Sequence, residues 1–181
     1  MIYVSISTIP SRIKNLEKSV LSILNQTLKP DKIFINIPLK YRRFKEIIKD
    51  DQIPNFKDSS IEVTRCEDCG PGTKLLGSLN KLEKDSLLIL VDDDNIYEDY
   101  MVEKFCQHFI NDSDSCYSFY VHPLGNLGIG QGADWFAINT KSKHLSYARL
   151  GGFMLSNNVN RFINPIKMPF TFRMYPTIHD Y

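Results

Sequence analysis

Asp92, Asp93 and Asp94 stand in a row at the end of a short apolar run, Leu87-Leu88-Ile89-Leu90-Val91. Three adjacent carboxylates repel one another. They stay ionised together only with a cation, several hydrogen-bond donors or full solvent around them. Two accounts fit. As a polar turn, Asp92-Asp93-Asp94-Asn95 would serve the N-terminus of a following helix, where acidic side chains are favoured, although one aspartate suffices for a cap. As a ligand set, carboxylate oxygens suit a hard divalent cation such as Mn²⁺ or Mg²⁺, which keeps waters and substrate phosphates in its shell. Such a cation bridging to a diphosphate would stabilise a departing nucleoside diphosphate. The second account is the better one.

Two other polar stretches share this setting. Thr8-Ile9-Pro10-Ser11-Arg12 follows the apolar run that opens the chain, and Glu67 to Lys74 follows another centred on Ile61 to Arg65. The elements that must position all three read as alternating strands and helices. Ile2 to Ser7 is a strand, and Pro10 suits the first turn of a helix, where its missing N–H costs nothing. Ile13, Leu16, Val20, Ile23 and Leu24 then recur at helical spacing. Ile33 to Ile37 is a second strand, stopped by Pro38, and residues 41–49 read as a weak helix. Pro54 to Ser60 is a loop and Ile61 to Arg65 a third strand. Thr73 is placed to cap a helix whose apolar stripe is Leu75, Leu76, Leu79 and Leu82. Leu87 to Val91 is apolar throughout, as strands buried on both faces are. Glu98 to Ile110 reads as a helix with Met101, Val102, Phe105 and Phe109 inward, and Tyr117 to Val121 and Trp135 to Ile138 as strands. A short helix is expected within 147–162, and Asn164 to Met174 is irregular.

Strand–helix alternation argues a doubly wound, mainly parallel α/β sheet in a single domain over 1–181. In such sheets ligands bind outside the carboxyl ends of the strands. All three polar stretches lie at such ends, so they are expected to converge on one rim.

Composition narrows the field. The chain is 43% hydrophobic and 24% charged, with a net charge of +1, so it lacks the basic excess of a nucleic-acid binder. Lys40, Arg42, Arg43 and Lys45 are interrupted by Tyr41 and Phe44 and read as a solvated helix face. No apolar run approaches the roughly 20 residues that span a bilayer. The N-terminus lacks the pattern of a signal peptide, so a cytoplasmic location is expected. Cys66 and Cys69 have C-x-x-C spacing, but zinc would want a second pair. The acidic residues between them would raise the thiol pKa, so these are read as reduced, structural cysteines. The Asn25 and Asn111 glycosylation triplets are read as chance.

On SISTIPSRIKNLEKSVLSILNQTLKPDKIFINIP, CGPGTKLLGSL, LILVDDDNIY and the terminal TIHDY, the chain resembles the GT-A glycosyltransferases, specifically family-2-like inverting enzymes. It is most similar to compact glycosyltransferase domains of large DNA viruses, for which the location would be the host cytoplasm. The resemblance covers about the first hundred residues well and the C-terminus thinly. It implies a GT-A (Rossmann-like) fold and a metal-dependent enzyme moving a sugar from a nucleotide-diphospho-sugar, UDP-sugar favoured, to a glycan or protein-linked acceptor. Residues 1–110 would be the nucleotide-sugar half and 111–181 the acceptor half. Thr8 and Arg12 would contact the donor's base or diphosphate, Asp68 would sit near base or ribose, and Lys74 would face the phosphates. Asp92 and Asp93 would lie against ribose and sugar, and Asp94 would bind the metal, with His179 a second candidate ligand or a neighbour. Asp180 would be the general base, with Asp134 as the fallback acid. The chain stops at Tyr181, where family members usually carry a helix, so it reads as a piece of a longer protein or as a frayed end.

Gly128-Ile129-Gly130-Gln131-Gly132-Ala133 spells G-x-G-x-x-A, but a dinucleotide fingerprint needs a helix next. Asp134 to Ile138 reads as a strand, so dinucleotide binding is rejected in favour of a glycine loop near the sugar. Trp135, Phe136 and Phe153 are candidates for stacking on a sugar ring, and Gly151-Gly152 for close approach to an acceptor. The competing functions are a phosphatase or nucleotidyltransferase with an Asp-x-Asp metal site, and a binding domain without turnover.

Overall fold

The computed structural model describes residues 1–113 together with three strands further on, 117–121, 133–139 and 166–167. Four strands form the parallel half of a sheet: β1 (Ile2–Ser7), β2 (Lys32–Pro38), β3 (Ile61–Cys66) and β4 (Leu87–Val91). Strand β1 pairs in parallel with both β2 and β4, and β2 with β3. The sheet continues through β5 (Tyr117–Val121), β6 (Ala133–Asn139) and β7 (Ile166–Lys167) in the order β3-β2-β1-β4-β6-β5-β7. The pairs β4–β6, β5–β6 and β5–β7 are antiparallel. The expected α/β, GT-A or Rossmann-like single domain is therefore present, with its parallel half carrying the polar loops. Strand β6 holds residues 134–138, so no helix follows the glycine run, as expected.

Period-2 alternation sorts the strand residues onto two faces. Val4, Ile6, Ile33, Ile35, Ile37, Leu87, Ile89 and Val91 pack with Ile13, Leu16, Val20 and Ile23 of α1 (Ile13–Leu24). Met101, Val102 and Phe105 of α3 (Met101–Asn111) close the same core. All five residues of β4 are buried, as its unbroken apolar composition requires. On the opposite face lie Tyr3 and Phe34, with ring centroids 5.7 Å apart, and two fully buried polar residues, Ser5 and Asn36.

Those polar residues explain one departure from the sequence reading. The expected helix from Thr73 is a single turn, α2 (Thr73–Leu76), followed by a 3₁₀ turn at Leu79–Lys81. Ser5 donates to the Lys74 carbonyl and its hydroxyl lies 3.0 Å from that of Ser78. The Asn36 amide donates to Ser5 Oγ at 2.8 Å. A Cβ on Gly77 would stand 2.6 Å from Asn36 Oδ1. The chain is drawn onto the sheet by polar contacts, and glycine lets it approach that closely.

Residues 41–49 are the second departure, since they form no helix. Tyr41 is buried and donates to the Thr8 carbonyl at 3.0 Å. The Arg42 N–H donates to Asp68 Oδ2 at 2.7 Å. Anchored side chains and a backbone amide bound elsewhere outcompete a weak helix, so this is a supporting loop and not a solvated helix face. Helix α3 begins three residues later than expected. The Glu98 carbonyl accepts from Gln26 Nε2 at 2.7 Å and the Asp99 carbonyl from the Thr27 N–H at 2.7 Å. Gln26 Oε1 in turn accepts from the Val102 N–H at 2.9 Å, capping the helix from a distant loop.

Candidate active site

Strand order reverses between β1 and β4: β2 and β3 lie to one side of β1, and β4 lies to the other. Crevices at such reversals are where open α/β sheets bind ligands. The loop after β1 carries Thr8 and Arg12, and the loop after β4 carries the three aspartates. Pro10–Arg12 forms one 3₁₀ turn leading into α1, which fixes the backbone from which Arg12 reaches across. Its Nη2 lies 3.1 Å from Asp93 Oδ1, and its Nη1 donates to Asp94 Oδ2 at 2.7 Å.

The aspartates differ in setting. Asp93 is fully buried. Its burial holds the carboxyl above the ordinary carboxylate range; the Thr8 hydroxyl and then Arg12 pull it back, and Asp94 pushes with burial. The Asp94 side chain is 28% exposed and that of Arg12 34%. Asp92 pairs with Lys74, which is only 4% exposed. Lys74 projects from the turn that Ser5 and Asn36 hold against the sheet, so the polar face of the core positions this cation. Arg12 and Lys74 thus supply two positive charges against three carboxylates.

The third loop joins the same rim. Asp68 accepts from the Arg42 N–H and, through Oδ1, from the Gly70 N–H at 2.8 Å. Thr73 Oγ1 donates to the same oxygen at 3.4 Å and accepts from the Cys69 N–H at 2.9 Å. Thr73 is not the expected cap: it is the first residue of α2, and Gly72 precedes it without any side-chain cap. The Thr73 hydroxyl instead ties down the loop before the helix, while Asp68 binds the β2 loop to the β3 loop. Cys66, Cys69 and Cys106 are free thiols. Burial first, then Cys69 and Asp68, push the Cys66 thiol up to about 11, and burial and Glu67 raise Cys69. That agrees with their reading as structural cysteines.

Thr8, Arg12, Asp68, Lys74, Asp92, Asp93 and Asp94 are thus brought to one rim. His179 and Asp180 lie outside the described residues, as do Gly128 to Gly132, Gly151-Gly152 and Phe153 and the helix expected within 147–162. Asp134, Trp135 and Phe136 lie in β6, and only their backbone is described. Two tyrosines escaped the sequence reading. Tyr97 accepts from the Asp92 N–H at 2.7 Å and donates to the Asp92 carbonyl at 2.7 Å. Tyr41 holds Thr8. Both are buried; for Tyr97 the available signal was an aromatic five residues after the first aspartate. Asn36 was legible as the one polar residue inside an apolar strand.

The residues present fit a divalent cation. Asp92 Oδ2 and both Asp93 oxygens are buried with no hydrogen-bond donor of good geometry among the described residues, and every candidate donor is a hard oxygen. Among the described residues no three acidic, histidine or cysteine side chains converge as a complete cage. A Mg²⁺-type site needs only one or two carboxylates when substrate phosphates complete it.

A Rossmann-like α/β sheet with a polar rim at its switch point defines a GT-A-type domain. The glycosyl transferase family 2 profile matches residues 6–168, and the chain belongs to that family of glycosyltransferases, which use nucleotide-sugar donors. Among solved structures it is similar to 2-C-methyl-D-erythritol 4-phosphate cytidylyltransferase of Francisella tularensis, at 12% identity and a TM-score of 0.55 over 81% of this chain and 77% of that one. It is also similar to residues 1–349 of S. aureus TarS, at 12% identity and a TM-score of 0.52, over 83% of this chain and 50% of that one. At this identity both show the fold alone. No curated protein sequence matches the chain significantly. Among the described residues no helix is long and apolar enough to cross a membrane.

Proposed function

We propose that this glycosyltransferase moves a sugar, with inversion, from a UDP-sugar to a hydroxyl of a glycan or protein-linked acceptor, and that it requires Mn²⁺ or Mg²⁺. The observation that carries the proposal is the meeting of Arg12 with Asp93 and Asp94, and of Lys74 with Asp92, at the β1–β4 switch point. Asp94 would hold the metal, with His179 as a second candidate. When bound, the cation would neutralise charge developing on the leaving diphosphate. Arg12 is placed to fork onto a phosphate, a geometry guanidinium matches well. Lys74 would add a fixed charge beside it, and Asp92 and Asp93 would accept hydrogen bonds from ribose or sugar hydroxyls. Thr8, beside Asp93, would contact the donor's base or diphosphate. Asp68 would bear on base or ribose through the loop it ties. Asp180 would take the acceptor proton as its oxygen attacks the anomeric carbon from the face opposite the leaving group. Residues 1–110 then form the donor half and 111–181 the acceptor half. The proposal includes a cytoplasmic site of action.

Thermal unfolding with a ligand panel tests it. A ligand at one hundred times its dissociation constant stabilises by about 2.7 kcal/mol. UDP-sugars are expected to raise the melting temperature with Mn²⁺ present and to do so far less without it. Stabilisation by Mn²⁺ with inorganic phosphate, but not with nucleotides, would point to a phosphatase instead.

A further inference from the structure

Arg12 occupies the carboxylate assigned to the metal. Its two terminal nitrogens reach two different aspartates, with Asp94 Oδ2 at 2.7 Å and Asp93 Oδ1 at 3.1 Å. A divalent ion on Asp94 would place a second cation against the same side chain, and like charges that close are mutually unfavourable. One of the two must yield. The Arg12 backbone is fixed between the 3₁₀ turn and α1, but its side chain is one-third exposed and Asp94 nearly so. Lys74, 4% exposed, has no such freedom.

We propose that Arg12 is an exchangeable counter-cation: it neutralises Asp93 and Asp94 in the ligand-free protein, leaves Asp94 when the metal enters, and swings onto the donor's diphosphate. This rests on the metal and nucleotide-sugar reading above and adds to it an order of events and a coupling. The latch keeps a buried acidic loop tolerable without ligand, at the cost of metal affinity. The diphosphate, in receiving Arg12, relieves that competition. Metal and diphosphate therefore bind cooperatively, and by linkage each tightens the other by the same factor. Arg12 so acts as a positioning residue toward the metal and as a contact toward the phosphate.

Mn²⁺ binding to the full chain, followed by the electron paramagnetic resonance of the free ion, tests the exchange without any turnover. In the absence of nucleotide, Arg12→Gln is expected to bind Mn²⁺ about fivefold tighter than wild type, the scale of a partly exposed ion pair. Arg12→Lys, which keeps the charge but not the fork, is expected to fall between the two, and it carries the test should the glutamine variant fail to fold. With UDP added, wild-type affinity for Mn²⁺ should rise more than that of Arg12→Gln. Asp94→Asn should lose Mn²⁺ binding. If neither Arg12 variant binds Mn²⁺ more tightly while Asp94→Asn abolishes binding, the exchange is wrong and the metal reading stands. If Asp94→Asn binds Mn²⁺ like wild type, the metal reading itself is wrong.

Discussion

Lys74 and Tyr97 show how single side chains hold this rim. Lys74 is a buried cation whose partner Asp92 is also mostly buried. Removing one member of such a pair strands the other's charge, at a cost of roughly 3–5 kcal/mol. Lys74→Met is therefore expected to lower the free energy of unfolding in urea by about 3 kcal/mol. Adding Asp92→Asn should recover much of the loss; no recovery would mean that Lys74 acts through something other than that charge. Tyr97 grips both backbone polar groups of Asp92 with one hydroxyl. Tyr97→Phe leaves a part-buried N–H without its acceptor, which costs about 1 kcal/mol, the lower end of the buried-donor range. It should also weaken UDP-sugar binding, because the first aspartate loses its anchor. Calorimetric titration beside thermal unfolding reads both effects, and intact affinity in a destabilised variant would confine Tyr97 to the core.

Strand β3 stands at the edge of the sheet, and charged side chains tie it to its neighbours. Glu62 pairs with Lys32 of β2 at 3.0 Å and with Lys81 of the 3₁₀ turn. The Lys81 contact first, then Lys32, hold the Glu62 carboxyl below its ordinary value of 4.5. A carboxylate with a depressed folded-state pKa contributes stability that is full above the unfolded value and is lost as pH falls through the folded one. Wild type should thus exceed Glu62→Gln in stability at neutral pH, with the gap closing below about pH 4.5. A gap that stays constant from pH 7 to pH 3 would show that these pairs add nothing. Further into the sheet, the interior strands explain why α2 is short: Ser5 and Asn36 reach out of β1 and β2 to claim the Lys74 carbonyl that a longer helix would have used.

For the molecule as a whole, the division of labour between the parallel half and the later strands can be measured. Donor binding is assigned to loops within 1–110 and proton removal to Asp180. Asp180→Ala is expected to bind a UDP-sugar with Mn²⁺ as wild type does, and to lose transfer by about 100-fold or more, the range for a general base. Transfer at the wild-type rate would place the base elsewhere, with Asp134 next to be tested.

The sequence by itself determined the four parallel strands, α1, α3 and the polar loops that end β1, β3 and β4. Those rest on local periodicity: β4 reads as buried because it is apolar at every position, and α1 as helical because its apolar residues recur every three or four. It also named Arg12, Lys74 and the aspartates as neighbours, because strands β1, β3 and β4 must present their carboxyl ends to one rim. Only the tertiary structure decided that Arg12 lies on Asp93 and Asp94 while Lys74 takes Asp92. The loop at 41–49, the single turn of α2 and the late start of α3 were decided there as well. Each depends on a hydrogen bond or ion pair between residues far apart in the chain, such as Arg42 with Asp68 or Gln26 with Val102. Local propensity carries no record of such partners, and where it is weak they win.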